Sequence, residues 1–272
     1  MTGDGRARYA AAMALHAQGL LGPDALEVYR ICSLRDRLDP APLLAERGLA
    51  PQVQDRVTAE GSVLALLEAA DLYLTRLQGP GVAETRHLLS QWRGGPVTLR
   101  PKTNSTLAHL PAAMTALETT HPDLAQAIAG AAPHLSWTTY DAYDPDMIGE
   151  DFATNHCFTT LIGENATIPA IDFDFGLFLI APHILYRDHH HAAPELYAPL
   201  TGPHGWRFAP NRPLIVKQAH QPVWNDPYQP HLTKVGPTPF LAFFAWTRDT
   251  DAPAKVLPAD DWAGLEARHL DQ

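Results

Sequence analysis

Cysteine is scarce: Cys32 and Cys157 are the two in 272 residues, and no C-x-x-C spacing joins them. That argues against a disulfide framework, and both are expected as small buried hydrophobes. Positive charge is also in deficit, since 20 Lys and Arg against 30 Asp and Glu leave a formal net charge of −10. Phosphates and anionic lipid surfaces are bound through basic footprints, so nucleic acid and membrane are not expected partners. Small cationic or zwitterionic ligands remain compatible with this charge. No apolar run approaches the ~20 residues of a membrane span. Met1–Arg8 lacks the apolar core of a secretory signal, so the expected compartment is the cytoplasm. The rest of the composition, 46% hydrophobic and 18% charged residues, suits an ordinary globular chain long enough for one large or two modest cores.

The first half reads as helical. Pro23 fits the first turn of a helix through DALEVYRICSLRDRL, because its missing N–H would be unpaired there anyway, and Pro40 interrupts the chain beyond it. A long helix is expected from an N-cap at Thr58 to Gln78, with Val63, Leu66, Leu67, Ala70, Leu74 and Leu77 on one stripe. Gly79-Pro80-Gly81 ends it, and a shorter helix through VAETRHLLSQW closes at Gly94-Gly95. Two further helices are expected in PAAMTALETTHPDLAQAIAGAAPH, broken at His121-Pro122.

After Ser136 the text becomes strand-like, with apolar and aromatic runs recurring every eight to fourteen residues between Pro and Gly: TNHCFTTLIG, ATIPAIDFDFGLFLIAP, ELYAPLTG, GWRFAP, PLIVKQ, HQPVWN, HLTKVG and TPFLAFFAWT. That spacing is the signature of a β-sandwich or barrel. The expected layout is a helical region over 1–103, connecting helices over 104–135, a β-barrel over 136–250 and a tail over 251–272.

Within the β region lies YRDHHHAAPELYAPLTG, Tyr186 to Gly202. Side chains of an extended chain alternate between faces, so His189, His191, Glu195 and Tyr197 share one face if Ala192–Pro194 is a tight connection that preserves parity. Two imidazoles and a carboxylate suit a divalent ion of borderline hardness, zinc, iron, manganese or nickel. His190, a weaker ligand candidate, falls on the other face and reads as a solvated histidine or one that supports a ligand from behind. A fourth ligand is expected from a neighbouring strand, with His231 the first candidate and His183, His204 and His220 weaker ones.

The segment HHHAAPELYAPLTG resembles the first metal motif of the cupin superfamily: H-x-H, three residues, Glu, six residues, Gly, met by His189, His191, Glu195 and Gly202. Upstream, His183 stands where that motif has a glycine, and of the second motif His231 alone is matched. Across Trp137–Trp246 the strings WTTYDAY, VWNDPYQPH and PFLAFFAWTRD, with Tyr186, His191, Glu195 and Tyr197 at the family's intervals, resemble the cupin-type dimethylsulfoniopropionate lyases and lyase-like proteins.

That resemblance implies an α+β protein, a C-terminal cupin barrel (a double-stranded β-helix, or jelly roll) carrying a helical N-terminal region. It also implies β-elimination of dimethylsulfoniopropionate to dimethyl sulfide and acrylate. A divalent ion held by His189, His191, Glu195 and His231 would bind the substrate carboxylate, and Tyr197, with Tyr186 assisting or exchanging roles, is the expected base. A sulfonium has no N–H donor and is best met by aromatic faces. Trp224 and Tyr228, in Pro- and Asn-rich surroundings, are the expected contacts, while Trp206, Phe243, Phe244 and Trp246 read as barrel core. Two alternatives stand beside this: a lyase-like cupin acting on another small carboxylate or a sugar as isomerase or dioxygenase, and a non-enzymatic small-molecule sensor. A homodimer is compatible with all three.

Overall fold

The computed structural model describes residues 4–34, 38–49 and 52–270. It divides into two compact units, 1–63 and 64–272. In the first, α1 (Asp4–Ala17), α2 (Pro23–Ser33) and α3 (Pro40–Glu46) close on a small core of Ala12, Leu15, Val28, Tyr29, Cys32 and Leu44. Pro23 and Pro40 both occupy first-turn positions. Asp39 caps α3 by accepting from the Ala41 N–H at 3.0 Å, which satisfies one of the donors a helix start leaves free. Cys32 is buried here and Cys157 in the second unit, both as free thiols.

The long helix α4 (Gln52–Leu74) starts six residues before Thr58 and ends before Gln78. Thr58 therefore lies inside it and is not the N-cap. The apolar stripe is as expected: Val63, Leu66, Leu67, Ala70 and Leu74 are buried. The division between the units falls within α4, so the later helices group with the strands. These are α5 (Val82–Trp92), α6 (Leu110–Glu118), α7 (Pro122–Ala131), α8 (Pro145–Ile148) and α9 (Glu150–Thr154). Among the described residues no helix is long and apolar enough to cross a membrane.

The strands occupy the expected segments: β1 (His156–Gly163), β2 (Ile168–Pro169), β3 (Asp174–Ile180), β4 (Leu185–His190), β5 (Glu195–Pro199), β6 (His204–Arg207), β7 (Ile215–Lys217), β8 (Val223–Asn225), β9 (His231–Lys234), β10 (Phe240–Trp246) and β11 (Lys255–Val256). They form two sheets, in the orders β2-β1-β3-β10-β5-β8 and β11-β4-β9-β6-β7. Apart from the parallel β1–β2 pair, all pairings are antiparallel. Between the sheets lie Phe178, Tyr186, Tyr197, Trp206, Val223, Val235 and Phe240. This is the jelly-roll architecture expected for the β region, in an α+β chain. A last helix, α10 (Trp262–Ala267), packs on the outer face of β4.

That outer contact is polar and fully enclosed. Asp188 and Arg207 are both inaccessible to solvent, and the Arg207 Nε donates to Asp188 at 2.9 Å while Nη2 makes a second, shorter bond to it. Asp261 accepts from the same guanidinium at 2.6 Å, and the Trp262 indole N–H reaches Asp188 at 2.7 Å. Buried charges persist only when paired and hydrogen-bonded, and here the guanidinium fork is filled on both sides.

Candidate metal centre

His189 and His231 are direct partners across the antiparallel β4–β9 ladder, which brings their rings to 4.0 Å. His191 lies just past the end of β4, where the chain leaves one sheet for the other. After the bend at Ala192–Ala193, β5 begins at Glu195 in the opposite sheet. The expected single face is thus realised across the sandwich: histidines from one sheet and its exit loop converge on a glutamate from the other.

Each ring is oriented by the backbone. The Nδ1 of His189 lies 2.8 Å from the Arg187 carbonyl, that of His191 2.7 Å from Ala193 O, and that of His231 2.9 Å from Gln229 O. A carbonyl only accepts, so each Nδ1 carries the proton and each Nε2 presents a lone pair. One ligand atom from each histidine falls within 4.8 Å of the others, the only such group of three among the described residues. The Nε2 atoms of His189 and His231 are buried without a hydrogen-bond partner. Leaving such an atom unpaired costs about 1–3 kcal/mol, so enclosed lone pairs aimed at one point fit a cation. The buried triad His189, His191 and His231 can hold a metal ion.

Glu195 stands against the triad, with Oε2 at 3.2 Å from His191 Nε2 and 3.4 Å from His231 Nε2. The Asn225 amide donates to Oε2 at 3.1 Å and the Trp246 indole to Oε1 at 2.9 Å. Burial alone would raise this carboxyl; were His191 and His231 protonated at Nε2, they would reverse the effect and hold it well below the usual range. Burial likewise presses His189 well below the ordinary histidine value, in the neutral form a ligand requires. Asn225 and Trp246 carry no signal in the motif; pairing of β5 with β8 and β10 puts them opposite Glu195.

In front of Glu195 opens a cavity of about 290 Å³. Tyr186 and Tyr197 both line it. Period-two parity would put Tyr186 and His189 on opposite faces of β4. The register changes between them, with Tyr186 opposite Thr233 and His189 opposite His231, so β4 carries one extra residue. This bulge turns Tyr186 inward, stacked on His189 at 4.0 Å. The Tyr186 hydroxyl is hydrogen-bonded to that of Tyr143. Burial, then the adjacent Glu195, push the Tyr197 hydroxyl well above the ordinary phenol.

The two aromatic contacts expected for a cation lie elsewhere. Trp224 packs over Gly81, whose backbone at φ +76° has no room for a Cβ beneath the indole, and its N–H goes to Asp226 at 2.8 Å. Tyr228 is 62% exposed and sits 5.7 Å from the His190 ring on the outward side. Trp224 is not in a loop but in β8, opposite Leu196 and so on the face turned from Glu195 and Tyr197. The aromatic wall comes instead from Tyr140, Tyr143, Phe158, Phe178, Phe244 and Trp246. Phe244 and Trp246, assigned to core by their strand pattern, are on the cavity side of β10. Tyr140 and Tyr143 come from WTTYDAY, more than forty residues upstream of the histidines, where only chain folding reveals the proximity. His190, facing away, pairs with β11 as parity required.

The profile of the dimethylsulfoniopropionate lyase family matches residues 97–242. Among solved structures, one of the dimethylsulfoniopropionate lyases RdDddP and RnDddQII superposes with a TM-score of 0.59 at 19% identity, over 74% of this chain and 100% of the other. The dimethylsulfoniopropionate lyase DddQ of Ruegeria pomeroyi DSS-3 aligns with a TM-score of 0.45 at 20% identity, over 66% and 97%. A cupin-like protein of Thermotoga maritima gives 0.35 at 15%, over 41% and 83%. No curated protein matches the chain. The profile match spans more than half of the sequence, from the connecting helices to β10 and through the histidine triad, and the chain belongs to the dimethylsulfoniopropionate lyase family.

Proposed function

We propose that the protein is a metal-dependent carbon–sulfur lyase that cleaves dimethylsulfoniopropionate to dimethyl sulfide and acrylate. The observation that carries this is one cavity bounded by Glu195, in contact with the histidine triad, and by two buried tyrosines. A divalent ion held by His189, His191, His231 and Glu195 would offset the charge of the substrate carboxylate and of the enolate-like transition state.

The chain's own groups do the rest. Tyr197, two residues from Glu195 on the inward face of β5, would take the proton from the carbon alpha to the carboxylate as its phenolate, the form that a cation held beside Glu195 would favour against the burial that raises its hydroxyl. The C–H electron pair becomes the new C=C bond, the beta C–S bond breaks, and its pair leaves on sulfur as neutral dimethyl sulfide. Tyr186, bonded to Tyr143, stands next to Tyr197 and can assist or take over the proton. The aromatic wall keeps water away and offers π faces to the sulfonium. A small zwitterionic substrate suits a chain of formal net charge −10.

Incubating metal-loaded protein with dimethylsulfoniopropionate and measuring headspace dimethyl sulfide tests the reaction; no gas from fully loaded protein refutes it. Tyr197→Phe is expected to lower kcat about 10²–10⁴-fold, the usual contribution of a general base, with metal content unchanged. If Tyr197→Phe and Tyr186→Phe each keep near-normal turnover, neither tyrosine is the base.

A further inference from the structure

The cavity has a second pole. Asp174, the first residue of β3, lines the same wall as Glu195. Trp246 of β10 is in register with Asp174 on one side and with Glu195 on the other. Residues directly opposed in an antiparallel sheet point to the same face, so Asp174, Trp246 and Glu195 form one inward row. Adjacent strands are about 4.8 Å apart, which puts the two carboxylate-bearing backbones about 10 Å from each other. The Trp246 indole lies between them.

Asp174 is an odd carboxylate for such a place. Among the described residues its side chain has neither a hydrogen-bond nor an ion-pair partner, and the cavity wall contains no Lys or Arg. Its charged neighbours are Glu164, Asp251 and Asp172, all of its own sign; burial first, and then these three, raise its carboxyl to about 6. Space is nonetheless made for it: a Cβ on Gly163 would stand 2.1 Å from Asp174 Oδ1. The carboxylates around it do not form a metal cluster, for the histidine triad is the only group of ligand atoms close enough among the described residues. Asp174 is half-buried, and a carboxylate drawn partly out of water with no cation beside it is favoured by a ligand that brings one.

Resting on the lyase reading above, we propose that Asp174 is the counter-ion for the cationic end of the substrate and selects sulfonium carboxylates over neutral ones. The substrate's carboxylate lies at the Glu195 end of the row. Its sulfonium, two methylene carbons away, extends along the Trp246 face towards Asp174. The site is then matched to a zwitterion at both ends, with an aromatic face for the methyl groups between.

Calorimetric titration separates this from the reaction itself. Metal-loaded protein carrying both Tyr197→Phe and Tyr186→Phe, which removes both candidate bases, is titrated with dimethylsulfoniopropionate and with 4-methylpentanoate, its isostere with a neutral CH in place of the sulfonium. Adding Asp174→Asn is expected to weaken dimethylsulfoniopropionate by about tenfold, equivalent to about 1.4 kcal/mol, and to leave 4-methylpentanoate unchanged or tighter. Asp174→Ser gives the same pattern if the amide disturbs folding. Equal losses for both ligands, no loss for either, or no binding of dimethylsulfoniopropionate at all overturns the assignment. Charge-selective binding without headspace dimethyl sulfide from the unsubstituted protein supports Asp174 and refutes only the lyase reading.

Discussion

Replacing Asp188 by Asn tests how the fold supports β4, the strand that carries His189. Asp188 immediately precedes His189, and its carboxylate takes two bonds from the buried Arg207 and one from Trp262 Nε1. Removing one partner of a buried ion pair costs about 3–5 kcal/mol, because the other charge is left without compensation. Arg207 keeps Asp261, whose side chain is 42% exposed, so the low end of that range, about 3 kcal/mol, is the reasoned value. In a unit of this size each kcal/mol lowers the melting midpoint by about 2–4 °C, giving a fall of about 6–12 °C. Near-UV circular dichroism reports it, since Trp137 and Trp206 are fully buried in the same unit. Chelator competition should show weaker metal retention in the same variant, because the bulge that aims Tyr186 and His189 inward is anchored by this pair and by Arg187 bound to Glu266. The double variant Asp188→Leu with Arg207→Met should lose less than Asp188→Asn alone, as it removes both charges together. A midpoint within about 2 °C of wild type, or a double variant that loses the sum of the single losses, would refute the reasoning.

A divalent ion at 100-fold its dissociation constant should stabilise the protein by about 2.7 kcal/mol; thermal shift in the presence of zinc or manganese reads this, and His231→Ala should abolish it while the outward-facing His190→Ala keeps it. Stability should also fall with acid between about pH 6.5 and 4. Burial lowers His156 to about 4 and His204 to about 3, so both are neutral in the fold. The unfolded chain then takes up protons first as pH falls, and stability present above the unfolded value is lost towards the folded one. At 1.36 kcal/mol per pH unit this is about 3 kcal/mol for His156 and a similar share for His204. Melting midpoints at pH 7, 5.5 and 4.5 should therefore decline, and His156→Gln should flatten the decline; a flat wild-type profile contradicts it.

Sequence by itself determined whatever local periodicity and spacing can encode. Alternating apolar runs separated by Pro and Gly marked the strands, and their two-sided burial needs a sandwich whatever the connections. The intervals in His189-x-His191-x-x-x-Glu195-x-Tyr197 placed the candidate ligands and Tyr197 on one side of an extended chain. The start of α4 escaped because Thr58 is a plausible cap in a stretch that can continue as helix in either direction. Tertiary structure alone decided three other matters. An extra residue in β4 turned Tyr186 inward, against simple parity, and a bulge is set by the partner strand rather than by the residues that form it. Trp224 and Tyr228 fell outside the lining of the cavity, Trp224 because β8 pairs it with Leu196, on the face turned from Glu195 and Tyr197, and Tyr228 because its turn leaves it exposed. Asp174, Tyr140 and Tyr143 joined the site from distant segments, since register between β3, β10 and β5 is a property of the sheet. The candidate ligand histidines were legible because their spacing is local; the lining of the cavity was not, because a cavity exists only between elements.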